Sequence, residues 1–305
     1  MEQLLNQILN DCRHHIARGK VADYIPELAK ANPDRFGICI AARGQTLVCA
    51  GDYSETFTMQ SIIKPMILLM ALMDNGKEAI RELVGVEATG KPFDTFNYTD
   101  QALRGEHINP MVNTGAIALC TLIQGDSYDE KFQRLLSLTR RISGNPHLEV
   151  DQKVFHSEKA TGSKNRALAY MLKAYGMIHD DVEAVLDCYF RACSIAASTM
   201  DLARIGAVFA SGGVIPETGE RLFAKEYATY VNAVLMTCGM YDGSGEFAVT
   251  VGVPAKSGVG GGIMAVVPGK MGIGIYSPAL DQKGNSVAGI KALEQLSREL
   301  ELSIF

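Results

Sequence analysis

Gln60-Ser61-Ile62-Ile63-Lys64-Pro65 runs directly into an unbroken apolar stretch, Met66 to Met73. Proline lacks a backbone N–H and breaks a helix interior, but the first helical turn has no intrahelical use for its N–H groups. If 66–73 is helical, Pro65 belongs to the opening turn and Ser61 stands at the helix start. Residues i and i+3 share a helix face, so the Ser61 hydroxyl and the Lys64 amine can address one pocket. A serine becomes a nucleophile when a base lies within hydrogen-bond reach. A lysine becomes such a base when burial or a nearby cation disfavours its charged form, and the apolar run beyond Lys64 supplies a dry wall. The plain alternative is an N-capping serine followed by an exposed first-turn lysine, since Ser-x-x-Lys is a short motif.

A chain of 305 residues with 47% apolar composition can bury the core of one large domain or of two intimate ones. The net charge is −5 and no Lys/Arg cluster exceeds two adjacent residues, which argues against a nucleic-acid partner. Met1-Glu2-Gln3 opens no basic segment followed by an apolar core, and no apolar run is long enough to span a bilayer, so a cytoplasmic protein without membrane contact is expected. The cysteines at 12, 39, 49, 120, 188, 193 and 238 are scattered, odd in number and contain no C-x-x-C pair. They read as reduced, buried, small hydrophobes. Cys12-Arg13-His14-His15 fits a surface helix face better than a metal site, because adjacent histidines on a helix diverge.

Leu4, Leu5, Ile8, Leu9, Cys12 and Ile16 form a helical stripe ending near Gly19. Residues 36–42 and 46–50 are β-prone runs around Arg43-Gly44-Gln45, a hairpin signal. The helix carrying Ser61 should cover 61–75 and stop at Asn75-Gly76. From Lys77 to about Tyr230 helical periodicities dominate, at 78–84, 114–123, 129–143, 164–177, 181–194 and 199–211, with loops at Gly90-Lys91-Pro92, Asn109-Pro110, Gly144-Asn145-Pro146 and Gly212-Gly213. After Met240, strands are expected at 246–253, 262–267 and 272–276, then an amphipathic helix over 287–301. The organisation predicts an α+β fold: a five-stranded antiparallel sheet built from both chain ends (1–76 plus 235–305), flanked by helices, and an inserted all-α subdomain at 77–234.

Ala255-Lys256-Ser257-Gly258-Val259-Gly260-Gly261-Gly262 lies between the late strands. Glycines let a strand edge approach another group closely, and an acyl-transfer site needs N–H donors aimed at a developing oxyanion. The N–H groups of Ser61 and Val259 are the candidates. A phosphate loop would open a helix after Gly-Lys-Ser/Thr, whereas here a strand follows.

Ser61-x-x-Lys64, an all-α insert and a late Lys256-Ser257-Gly258 together resemble the serine β-lactamase and penicillin-binding-protein superfamily. Val21-Ala22-Asp23-Tyr24-Ile25-Pro26, Asn109-Pro110-Met111-Val112-Asn113, Ser157-Glu158, Asn165, 236–242 and 254–259 resemble one branch of it, the serine-dependent glutaminases, over nearly the whole chain. The resemblance implies hydrolysis of L-glutamine to L-glutamate and ammonia with no metal or organic cofactor, in a homo-oligomer, dimer or tetramer. It implies Ser61 as nucleophile, Lys64 as its activating partner, and Tyr24 and Tyr241 as site tyrosines. It further implies Gln60, Asn113, Glu158, Asn165, Tyr189 and Val259 as the substrate-binding set. The residue chemistry agrees, because a free amino acid needs an anion for its ammonium, here Glu158, and amide donors for its carboxylate, here Asn113 and Asn165. Whether Lys64 or Tyr241 takes the serine proton stays open. A base that must shed its own proton implies activity rising toward alkaline pH.

Two other readings compete. A β-lactam- or peptide-reactive hydrolase of the same fold would be acylated by a labelled penicillin. A non-catalytic amino-acid-binding module would need Glu158 and the asparagines but neither Ser61 nor Lys64. Ser143-Gly144-Asn145 and Tyr230-Val231-Asn232 imitate motifs of the penicillin-reactive enzymes, but the first falls in a turn and the second on a helical pattern.

Overall fold

The computed structural model describes residues 1–42, 44, 46–89 and 108–305, so the expected loop at Gly90-Lys91-Pro92 and parts of the 43–45 turn lie outside the described residues. Its strands are β1 (Gly37–Ala42), β2 (Val48–Gly51), β3 (Phe57–Thr58), β4 (Ala196–Ala197), β5 (Ala255–Ser257), β6 (Gly262–Val267) and β7 (Met271–Tyr276). Five form one antiparallel sheet in the order β2-β1-β7-β6-β5, assembled from both chain ends, while β3 and β4 make a separate short ribbon. The helices are α1 (Glu2–Cys12), α2 (Lys64–Leu83), α3 (Asn113–Leu122), α4 (Tyr128–Ser143), α5 (Gln152–Thr161), α6 (Ser163–Ala174), α7 (Val182–Cys193), α8 (Thr199–Ala210), α9 (Lys225–Cys238), α10 (Ser244–Thr250) and α11 (Val287–Leu300). None of them is long and apolar enough to cross a membrane.

Side chains alternate across a strand, and here the alternation divides two packing layers. Ile38, Ile40, Ile263, Ala265, Ile273 and Ile275 meet Leu5 and Ile8 of α1 and Leu293 and Leu296 of α11. On the opposite face Cys39 and Ala41 meet Ala203 and Ala207 of α8. Here α8 lies almost on the backbone of β7. A Cβ added at Gly272 would sit 2.1 Å from Ala203 O and Ala207 N, and one at Gly274 would sit 2.0 Å from Thr199 O. Helix α8, read from sequence as part of the helical stretch, therefore roofs the sheet directly. The remaining helices pack around α2, whose residues from Lys64 to Leu72 are all buried.

Two expectations change. Residues 246–253 are not a strand: 244–250 are helical and the edge strand is Ala255–Ser257. The β-branched composition of Val249-Thr250-Val251 misleads, because Phe247 and Val251 are buried one turn apart while Val249 is 89% exposed. That is one helical stripe rather than an alternating one. The first segment of α2 stops at Asn75-Gly76, as that pair predicts: Gly76 is non-helical with φ 79°, and the run expected at 78–84 follows it as about two further turns to Leu83. Cys39 and Cys49 stand opposite each other in the β1–β2 register and form a disulfide, so the reduced reading applies to the other five, all buried. Cysteines ten residues apart show no local motif; hairpin register alone brings them together.

Gly272→Val should lower stability by about 2–3 kcal/mol, the usual range for overpacking, read as a shift of the urea midpoint. Gly245→Ala, where nothing lies within 4 Å of the added carbon, should stay within about 0.5 kcal/mol of the parent.

Candidate active site

Ser61 lies in a single 3₁₀ turn, Gln60–Ile63, that feeds α2 with Pro65 in its first turn. In a 3₁₀ turn residues i and i+3 eclipse one another, so Ser61 is stacked over Lys64 more directly than an α-helical start would place it. Just upstream β3 pairs with β4, and Met59 N–H donates to Ile195 O at 2.8 Å. Gln60 then takes φ 49°, a left-handed conformation that non-glycine residues rarely adopt outside constrained sites. The glycine-rich link after β5 presses on the same segment. A Cβ at Gly258 would lie 2.6 Å from Met59 O, and one at Gly260 2.6 Å from Thr58 O. Glycine here is what allows Val259 to reach the Ser61 side of the sheet.

These elements surround a cleft of about 350 Å³ lined by Tyr24, Gln60, Ser61, Asn113, Glu158, Asn165, Tyr189 and Val259, with Ile25, Thr161, Gly162, Ser163, Lys164 and Cys193 completing it. Tyr24 is 54% exposed and stands at the rim. Lys64 and Tyr241 lie behind the lining. Lys64 is fully buried, and its Nζ donates to Met111 O at 3.0 Å and to Asn113 Oδ1 at 2.7 Å. Asn113 also accepts from the Tyr189 hydroxyl at 3.3 Å and donates through Nδ2 to Asn165 Oδ1 at 2.8 Å. The Asn113 amide thus ties the buried amine to two further lining residues, Tyr189 and Asn165.

Tyr241, with φ 54°, begins a short 3₁₀ turn after α9. Its hydroxyl is hydrogen-bonded to Ser61 and donates to Ser257 O at 3.2 Å. Burial pushes its phenol well above the ordinary tyrosine range. Beneath its ring, at 4.2 Å from the centroid, lies the Lys256 amine, fully buried and donating to Gly239 O at 3.0 Å and Ser257 O at 2.6 Å. Burial and then the charge of Lys64 hold Lys256 well below the usual lysine range.

Glu158 comes from the last turn of α5 and Asn165 from the first turn of α6. Gly162 divides the two helices, and a Cβ there would strike the Phe190 ring at 2.6 Å. Burial pushes the Glu158 carboxyl up to about 8, against the opposing pull of a Gln60 hydrogen bond and the Lys64 charge. Its Oε2 is buried with no hydrogen-bond partner among the described residues, an arrangement that costs about 1–3 kcal/mol unless a donor arrives.

The structure thus gathers all ten sequence-selected residues at one place, eight on the cleft wall and two beneath it. The two imitation motifs lie elsewhere: Asn145 Nδ2 bonds Asp201 and Asn232 Nδ2 bonds Phe209 O. Sequence reading missed helix α5 as an element, because only Val154, Phe155 and Glu158 of it are buried. Its capping residue Asp151, which accepts from the N–H groups of Lys153 and Val154, was the available signal. The 161–164 turn and Cys193 had none, since their place in the cleft follows from how α5, α6 and α7 meet.

A group whose folded pKa is raised stabilises the fold below its unfolded pKa and loses that contribution as pH rises through the folded value. For Glu158 the window runs from 4.5 to about 8. Glu158→Gln should therefore raise the Tm of the ligand-free protein more at pH 9 than at pH 6. An equal effect at both would place the carboxylate in water.

A family model described as Glutaminase matches residues 19–305. The chain is 50% identical over 305 residues to a glutaminase of Clostridium tetani, covering 100% of both. It is also 50% identical over 304 residues to a glutaminase of Clostridioides difficile, covering 100% of this chain and 98% of that one. Among solved structures it is similar to a Bacillus subtilis glutaminase in covalent complex with 5-oxo-L-norleucine, formed by reaction with 6-diazo-5-oxo-L-norleucine. That match has a TM-score of 0.90 and 38% identity, and covers 99% of this chain and 98% of that one.

Proposed function

As the chain belongs to the glutaminase family, it converts L-glutamine to L-glutamate and ammonia, and we propose that it does so through an acyl-enzyme on Ser61. The observation that carries this reading is Ser61 on the wall of the cleft, one turn from the fully buried Lys64, facing a Glu158 that keeps a buried oxygen without a partner among the described residues.

In this scheme the α-ammonium of glutamine donates to Glu158 and fills that vacancy. Asn165, whose amide oxygen is already engaged by Asn113, offers its NH₂ to the α-carboxylate, with Asn113 and Tyr189 framing it. The side-chain carboxamide then lies over Ser61. Ser61 Oγ forms a bond to the amide carbon while its proton passes toward Tyr241 or Lys64. The N–H groups of Ser61 and Val259 receive the developing oxyanion, an arrangement worth about 10²–10³ in rate per donor. Collapse breaks the C–N bond, and the nitrogen leaves as ammonia with the proton returned from the same group. Water, deprotonated by the same route, attacks the ester carbon, releases glutamate and restores the Ser61 hydroxyl.

Each buried group has a part in proton handling. Tyr241 is held neutral by burial, so it relays a proton rather than storing a charge. The Lys64 amine is oriented by Asn113 and Met111. Lys256, linked to the Ser257 carbonyl that Tyr241 also uses, braces the phenol. We place the reaction in the cytoplasm and in a homo-oligomer on the family resemblance alone.

One equivalent of 6-diazo-5-oxo-L-norleucine should add to the protein, with peptide mapping locating it on Ser61. Ser61→Ala should keep its fold, lose the adduct and release ammonia at least about 10³-fold more slowly. Activity surviving within about tenfold would remove Ser61 from the chemistry. Because the free carboxyl of Glu158 titrates at about 8 and only its anion pairs with an ammonium, kcat/KM should climb with pH up to about 8 and then level. Glu158→Gln should lower kcat/KM and abolish that rise.

A further inference from the structure

We propose that a second cavity, at the C-terminal end of α8, binds an organic anion carrying a hydroxyl group on an apolar or ring body. Its volume is about 660 Å³ against about 350 Å³ for the Ser61 cleft, and the two share no lining residue. The end of α8, the narrow turn in which Val214 pairs with Arg221, and the first turns of α9 form its walls.

Charge is the first argument. The chain carries 34 Asp and Glu against 29 Lys and Arg, yet no carboxylate lines this cavity, while Arg221 and Lys225 both do. Neither is ion-paired with a carboxylate among the described residues. Both are held in place. Arg221 Nη1 donates to Gly212 O at 2.9 Å and to Phe223 O at 3.2 Å, which leaves three of the five guanidinium N–H groups for a ligand. The Lys225 stem lies against Gly212, where an added Cβ would meet its Cγ at 3.0 Å. Lys225 is also the first residue of α9, and Ala224 before it provides no side-chain cap, so the helix end adds to the positive potential.

Shape and polarity narrow the class. Phe209, Ile215 and Pro268 supply an apolar wall suited to a hydrocarbon or a flat ring rather than a bare inorganic ion. Asn232 faces the same space, with Nδ2 tied to Phe209 O and Oδ1 buried without a partner. A lone carbonyl oxygen asks for a donor, and a ligand hydroxyl provides one where a second anionic group would be repelled. Organic phosphates and hydroxycarboxylates share this chemistry.

The site stands independently of the Ser61 reaction, so its test uses the full-length protein and a probe foreign to that chemistry. Adenosine 5′-monophosphate, titrated calorimetrically, should bind one equivalent per chain, with glutamine present or absent and equally in Ser61→Ala. Arg221→Gln combined with Lys225→Gln should weaken it at least about tenfold, and Thr229→Trp, at an exposed lining position, should block it. Mandelate, a hydroxycarboxylate on a ring, in place of the nucleotide separates hydroxycarboxylate from organic phosphate as the natural source, since the tighter of the two names it. No saturation below about 10 mM with either probe, unchanged affinity in the double variant, or displacement by glutamine would overturn the proposal. Inorganic phosphate binding as tightly as both would overturn its organic body. Should the double variant fail to fold, Lys225→Glu alone carries the comparison.

Discussion

Everything at this site depends on keeping the Lys64 amine out of water. An unpaired ammonium in a protein interior is expensive, and the environment must either neutralise it or surround it with acceptors. Here the amine has two oxygen acceptors, a backbone carbonyl and the Asn113 amide, and no exposed surface. Seclusion of this kind needs a thick apolar jacket, and that is what the helical layer around α2 provides. Of the eight apolar residues after Pro65, Met66 to Leu72 are buried in that layer, which closes over Lys64, and only Met73 reaches the surface.

The same requirement explains why the site sits at a seam. Ser61 is presented by a turn caught between the β3–β4 ribbon, the Gly258–Gly262 link and the first turn of α2. Each contact comes from a different part of the chain, and each is made by backbone, so side-chain motion alone does not release it. Glu158, Asn165 and Tyr189 enter from α5, α6 and α7, opposite the sheet edge that brings Val259. A cleft between a rigid sheet edge and a helical cluster can hold donors for an oxyanion on one wall and charges for an amino acid on the other. Neither layer carries both sets.

Much of this was legible in the sequence, for identifiable reasons. Pro65 fixed the register of Ser61 and Lys64, and alternating patterns at 36–42, 262–267 and 272–276 marked strands that the structure contains. Local pattern failed where tertiary context decided the outcome. Residues 246–253 carry strand-like composition, but among 246–251 only Phe247 and Val251 are buried in the core, and that spacing is helical. Cys39 and Cys49 meet only because the hairpin closes in one register. Helix α5 has so few buried residues that its periodicity is faint, yet it carries Glu158 into the cleft. The glycines at 272 and 274 are the places where α8 touches the sheet, a contact no local pattern announces. Lys256, read as part of a motif, turns out to lie under the Tyr241 ring.

The empty cleft also carries local costs that a bound amino acid can relieve. Gln60 and Tyr241, flanking the nucleophile in space, both hold left-handed backbone conformations, each a strain of order 1–3 kcal/mol that the surrounding structure sustains. Glu158 adds a buried oxygen with nothing to accept from. A ligand ammonium placed there gains a charge-assisted hydrogen bond and relieves a penalty already present, whereas an analogue without the ammonium leaves the penalty in place. Sites built on buried polar groups reject such analogues far more strongly than apolar pockets reject a missing methylene. On the role proposed for Glu158, discrimination for a free amino acid over an amide within a peptide chain would follow from the isolation of one carboxylate oxygen. Were Glu158 opened to water, the substrate would still be attracted, but the selectivity that comes from an unsatisfied partner would be lost.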